Sequence, residues 1–113
     1  MNSFHGIVVK GEREGRKFGF PTANLEVEND LKAGVYSGYV DFEGKTYRAA
    51  ITINPKRLGK IVEAHLINFD DDIYGKEITI RVEDLLRDWI IFDNIEEGKA
   101  QIKKDINNII KNL

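Results

Sequence analysis

Hydrophobic residues along most of this chain repeat with a period of two, and a period of 3.6 emerges only at the C-terminus. Val35 to Phe42 places Tyr36, Val40 and Phe42 on one side and Ser37 and Asp41 on the other. Glu43-Gly44-Lys45 supplies a turn, and Tyr47, Ala49, Ile51 and Ile53 continue on one face of Thr46 to Ile53, a hairpin pattern. Phe4 to Val9 is a further short run ending in Ile7, Val8 and Val9, and Val62 to Phe69 is another. Ile78, Ile80 and Val82 alternate against Glu77, Thr79, Arg81 and Glu83. Ile102, Ile106, Ile109, Ile110 and Leu113 form one helical stripe, opened by Asn94 and Glu97 as an N-cap with its capping-box partner. Five or six short strands and one terminal amphipathic helix predict a small barrel or sandwich, with the helix packed on its outside or over one end.

The chain's 113 residues suit one domain spanning 1–113, large enough to hold a core without a metal or disulfide staple. With no cysteine, disulfide scaffolds, thiolate nucleophiles and iron–sulfur clusters are excluded. A net charge of −2 argues against nucleic acid as a partner, because such binding is driven by phosphate neutralisation. It leaves room for a small anion held by local donors. Met1 to His5 lacks the basic and apolar regions of a secretory signal, and no window has the apolar length of a membrane span. A cytoplasmic monomer with no membrane partner is the expectation.

Three places could carry chemistry. Gly11 to Leu25 follows a strand and holds Gly11, Gly15, Gly19, Arg13, Arg16, Lys17 and Pro21. Glycines let backbone N–H groups converge on a phosphate, although a flexible solvated loop explains the same composition, and the Walker pattern is missing. In Pro21-Thr22-Ala23-Asn24 an extended backbone would turn a hydroxyl and an amide to one side. Both are hard oxygen donors of the kind magnesium accepts, and both are also common turn caps. Glu63 lies in an apolar strand, where alternation sets it with His65 opposite Val62, Ala64 and Leu66. It is either a solvent-facing acid or, if buried, a general base. Asp70-Asp71-Asp72 reads better as a solvated turn than as a metal site. His5 and Trp89 are open.

Gly6-x-Val8-x-x-Gly11-x-x-x-Gly15-Arg16-x-x-Gly19-Phe20-Pro21-Thr22-Ala23-Asn24-Leu25 resembles the opening signature of the riboflavin kinase family. Gly34-Val35-Tyr36, Val62-Glu63-x-His65-Leu66, Phe69, Tyr74-Gly75, Arg87, Phe92 and Gln101-Ile102-x-x-Asp105 resemble its later landmarks in order. The resemblance implies a mainly β fold, a closed six-stranded Greek-key barrel with a C-terminal helix. It implies ATP-dependent phosphorylation of the ribityl 5′-hydroxyl of riboflavin to FMN, with ADP as the other product and Mg2+ or another divalent cation as cofactor. By the same resemblance, Thr22 and Asn24 hold the metal and Glu63 is the base. Gly11, Gly15, Arg16, Gly19, Pro21, Thr22, Asn24, Leu66 and Tyr74 fall on the nucleotide side, and Arg87 and Phe92 on the flavin side. Two segments depart from the family pattern: Asn54 to Lys60 is short and basic, and Arg87 to Phe92 is unusually apolar. Those departures motivate an alternative, a non-catalytic flavin- or nucleotide-binding barrel. An oligonucleotide-binding barrel is a weaker alternative, disfavoured by the charge. Many bacterial relatives carry an adenylyltransferase domain ahead of this one, for which 113 residues leave no room, so the expected reaction stops at FMN.

Overall fold

The computed structural model describes residues 2–10 and 19–111. Its strands are β1 (Asn2–Ile7), β2 (Ala23–Glu26), β3 (Gly34–Phe42), β4 (Lys45–Ile53), β5 (Ile61–Leu66) and β6 (Glu77–Asp88), followed by helix α1 (Ile95–Lys111). All pairings are antiparallel, in the order β1-β6-β3-β4-β5-β2. The two outer strands of that order approach each other through one bridge, Val9 to Asn24, so the barrel is nearly closed. This agrees with the expected six-stranded barrel.

Alternation sets the inside. Val40, Ile51, Ile53, Val62, Ala64, Ile78 and Ile80 fill the barrel together with Leu25. Burying each such side chain stabilises the fold by about 1.5–3 kcal/mol before entropy is counted. The hairpin forms at Glu43-Gly44, both with positive φ, the geometry that matches the right-handed twist of the flanking strands. At Gly38 strands β3 and β6 come so close that a Cβ would meet the Arg81 carbonyl and the Ile51 side chain. The register of β3 on β6 shifts nearby.

Several boundaries differ from the sequence expectation. Strand β1 ends at Ile7 rather than Val9, and Val9 contributes only the closing bridge. Strand β5 ends at Leu66 because Asn68, at φ 60°, turns the chain. Strand β6 continues to Asp88, since β3 pairs with it from Thr79 to Asp88.

Helix α1 starts as expected: Asn94 Oδ1 accepts the Glu97 N–H at 2.9 Å. The Glu97 carboxylate reaches back one residue further than a capping box requires, to the Asp93 N–H at 3.4 Å. The helix lies on the outer face of the barrel, where Ile109 and Ile106 pack with Ala50, Ile67 and Leu86. Ile110, expected in the same stripe, is exposed, and Leu113 lies outside the described residues. Among the described residues no helix is long and apolar enough to cross a membrane.

Candidate active site

Thr22, Asn24 and Glu63 converge on the outer face of β2 and β5. Because Ala23 and Leu25 point into the core, the pleat turns Thr22 and Asn24 outward, and β2 pairs with β5 so that Asn24 stands directly opposite Glu63. Val62, Ala64 and Leu66 likewise point inward, which sends Glu63 and His65 to the face predicted for them.

Glu63 is a buried acid, 7% exposed. Thr22 Oγ1 donates to its Oε1 at 3.3 Å, and Arg57 Nη2 reaches its Oε2 at 3.2 Å. The solvent-facing reading of Glu63 is therefore wrong. Asn24 Nδ2 donates to the Thr22 carbonyl at 3.3 Å, so the local capping reading of this motif holds for its nitrogen. Its Oδ1 is buried and lacks a hydrogen-bond partner among the described residues. Leaving such an oxygen unpaired costs about 1–3 kcal/mol unless something else occupies it. A hydroxyl oxygen and an unpaired amide oxygen beside a carboxylate fit the hard, oxygen-only preference of Mg2+.

The approach to this cluster is fixed from β5. His65 Nδ1 donates to the Pro21 carbonyl at 2.8 Å, and its ring meets Phe20 edge-on at 5.4 Å. These contacts hold the Phe20-Pro21-Thr22 backbone against the barrel.

Beside Glu63 opens a cavity of about 710 Å3 between the barrel's outer face and the segment leading into α1. That volume suits a drug-sized ligand. Thr22 and Glu63 line one wall; Arg87, Trp89, Phe92 and Asp105 line another. The guanidinium of Arg87 is already occupied. Nε lies 3.0 Å and 3.1 Å from the Asp105 oxygens, Nη2 lies 2.8 Å from Oδ2, and Nη1 donates to the Asp88 carbonyl. Gln101 completes the cluster on Asp105 Oδ1 at 3.0 Å. Arg87 thus contributes a wall in which its guanidinium stands 6.0 Å from the Phe92 ring centre, rather than an open fork of donors.

The other expected residues are dispersed. Tyr74 is exposed, in a turn whose Gly75 N–H and Lys76 carbonyl bond to Val8. It lies toward the bridge that closes the barrel at Asn24, and it does not line the cavity. Leu66 is buried in the core, so its side chain offers no ligand surface. Gly19 and Pro21 are exposed at the start of the motif. Gly11, Gly15 and Arg16, with Arg13 and Lys17, lie outside the described residues. Asp70, Asp71 and Asp72 are exposed, and Asp72 Oδ1 caps the Tyr74 N–H at 2.9 Å, as a solvated turn would. His5 is an exposed partner of Thr79 and Glu77. Sequence reasoning did not assign Phe20, Asn54, Lys56 or Asp105 to the cavity wall, nor Arg57 to Glu63. Asp105 carried the best signal, a charged residue inside the helix's apolar stripe.

A β-barrel with a ligand-sized cavity on its outer face, lined in part by a buried acid and a hydroxyl, defines a class of barrel with a site for a small molecule. The chain belongs to the riboflavin kinase family, whose model matches residues 2–113. It is 36% identical over 117 residues to the RNA-binding riboflavin kinase RibR of Bacillus subtilis (strain 168), covering 98% of this chain and 51% of that protein. It is 32% identical over 108 residues to the bifunctional riboflavin kinase/FMN adenylyltransferase of Listeria monocytogenes serovar 1/2a, covering 88% of this chain and 34% of that protein. The crystal structure of riboflavin kinase from Trypanosoma brucei superposes with a TM-score of 0.70 at 25% identity, over 96% of this chain and 77% of that one. The chain thus spans about half the length of the first relative and about a third of the second.

Proposed function

We propose that this chain transfers the γ-phosphoryl group of ATP to the ribityl 5′-hydroxyl of riboflavin, giving FMN and ADP. One observation carries the reading: Glu63 is buried in the lining of a ligand-sized cavity, bonded to Thr22 and directly across from Asn24. Family membership over residues 2–113 supports it.

In the reaction the ribityl oxygen forms a bond to the γ-phosphorus as the bond to the β,γ-bridging oxygen breaks, and ADP leaves. The hydroxyl proton passes to the Glu63 carboxylate. Phosphoryl transfer asks little covalent work of the protein, so orientation and charge neutralisation dominate. Glu63 is suited to orienting the alcohol, because its carboxylate is held at both oxygens. Thr22 Oγ1 and Asn24 Oδ1 would hold the divalent cation, which when bound neutralises charge on the phosphates. The isoalloxazine ring is flat and largely apolar, and the wall formed by Trp89, Phe92 and the plane of Arg87 is a surface on which it can lie. By the family resemblance, Tyr74 would serve the nucleotide, as would Gly11, Gly15 and Arg16, which are outside the described residues.

Purified protein incubated with riboflavin, ATP and Mg2+ should yield FMN, separated from riboflavin by chromatography. Tight riboflavin binding without FMN formation would instead establish a non-catalytic flavin-binding barrel.

A further inference from the structure

We propose that Arg57 is a positioning residue for Glu63, fixing the carboxylate toward the acceptor hydroxyl without contributing to nucleotide affinity. This rests on the reading of Glu63 as the base of the transfer. The terminal torsion of a glutamate is broad and nearly two-fold, and Thr22 Oγ1 holds one of its oxygens at 3.3 Å. The second oxygen is held by Arg57 at 3.2 Å, and two contacts on two oxygens define the plane.

Arg57 is presented by a short 3-10 turn, Pro55–Arg57, that is unusually well tied down. Pro55 opens it, and Asn54 Oδ1 accepts the Lys56 N–H at 2.9 Å. The Arg57 N–H bonds to the Asn54 carbonyl at 3.0 Å and its carbonyl accepts from Lys60 at 3.1 Å. Beyond the turn, the Lys60 and Gly59 carbonyls accept from Val27 and Asn29, the residues that follow β2. None of the turn's three residues is buried, so this ordering serves no core. What it does deliver is a guanidinium, its side chain 18% exposed, against the acid.

Arg57 Nε is buried with no acceptor among the described residues. An unmet donor beside the reacting acid is the kind of local cost that functional sites retain.

The test is a double-mutant cycle on steady-state FMN formation with Arg57→Gln, Glu63→Gln and the double variant. Arg57→Gln should lower kcat about 10- to 100-fold, the scale of a misplaced reacting group, with KM for ATP unchanged. In the Glu63→Gln background the same substitution should lower kcat by no more than about twofold, because its route of action is gone. Arg57→Lys should restore part of the loss, and it carries the same comparison if Arg57→Gln does not fold. Losses that multiply in the double variant overturn the proposal, as does a rise in KM for ATP at unchanged kcat. Absence of FMN from the wild type would overturn the assigned reaction itself, a result distinct from either.

Discussion

Two arginine–carboxylate pairs border one cavity, which Glu63, Arg87 and Asp105 line, and they are built differently. Arg87 and Asp105 meet through three contacts between 2.8 and 3.1 Å, with Gln101 behind them. The pair clasps strand β6 to helix α1. In the other pair Arg57 Nη2 stands 3.2 Å from Glu63 Oε2, and Arg57 Nε has no acceptor among the described residues. The Arg87–Asp105 pair holds the wall in place, whereas on the proposed function the Arg57–Glu63 pair aims an acid that must still accept a proton. On that reading an arginine and a carboxylate serve architecture on one side and reaction on the other.

If that contrast is right, substitutions on the two sides should separate activity from stability. Glu63→Gln should lower kcat by about 10²–10⁴-fold, the usual contribution of a general base, a loss far beyond what its lowered thermal midpoint accounts for at the assay temperature. A near-normal kcat would end the base assignment. Asp105→Asn should do the opposite. It strands the Arg87 guanidinium, and loss of one partner of a buried pair costs about 3 kcal/mol, read as a lower urea midpoint at unchanged m-value. Asn24→Ala should weaken binding of the Mg2+–nucleotide complex by about 10-fold, and it also removes the Nδ2 bond to the Thr22 carbonyl, at a cost of about 0.5–1.5 kcal/mol in stability. An unchanged Mg2+ dependence would remove Asn24 as a ligand.

The smallest effect lies away from both pairs. The Thr46 hydroxyl, and after it Arg81, hold the Asp41 carboxyl below the usual carboxylate range against a partial desolvation that raises it. Its folded-state pKa is depressed, so the contribution is present at pH above the unfolded value and lost as pH falls through the folded value. With the side chain 39% exposed, it is worth less than about 1 kcal/mol. Asp41→Asn should therefore cost a little stability at neutral pH and none in acid, seen in urea midpoints measured at both.

Much of the chemistry was legible because β-structure has a period of two. That period alone put Glu63 with His65 and Thr22 with Asn24, and placed Val62, Ala64 and Leu66 inside. Strand β2 was harder to see, having only four residues directly after Pro21-Thr22. Its pairing with β5, which makes Asn24 and Glu63 neighbours, is a non-local register that no short window encodes. The contact from Arg57 was hidden for the same reason: a basic loop reads as solvated until the β4–β5 connection is folded back. In helix α1 the periodic stripe predicted Ile110 buried and overlooked Asp105. Arg87 reverses this, since a paired carboxylate can take the inward position.

The most direct measurement is a crystal structure of the protein with Mn2+ and a non-hydrolysable ATP analogue, using the anomalous signal of the metal. The predicted result is one peak about 2.1–2.2 Å from both Thr22 Oγ1 and Asn24 Oδ1, with the analogue's γ-phosphate facing Glu63. A metal–nucleotide complex bound elsewhere, with Asn24 Oδ1 still unliganded, would contradict the site described above.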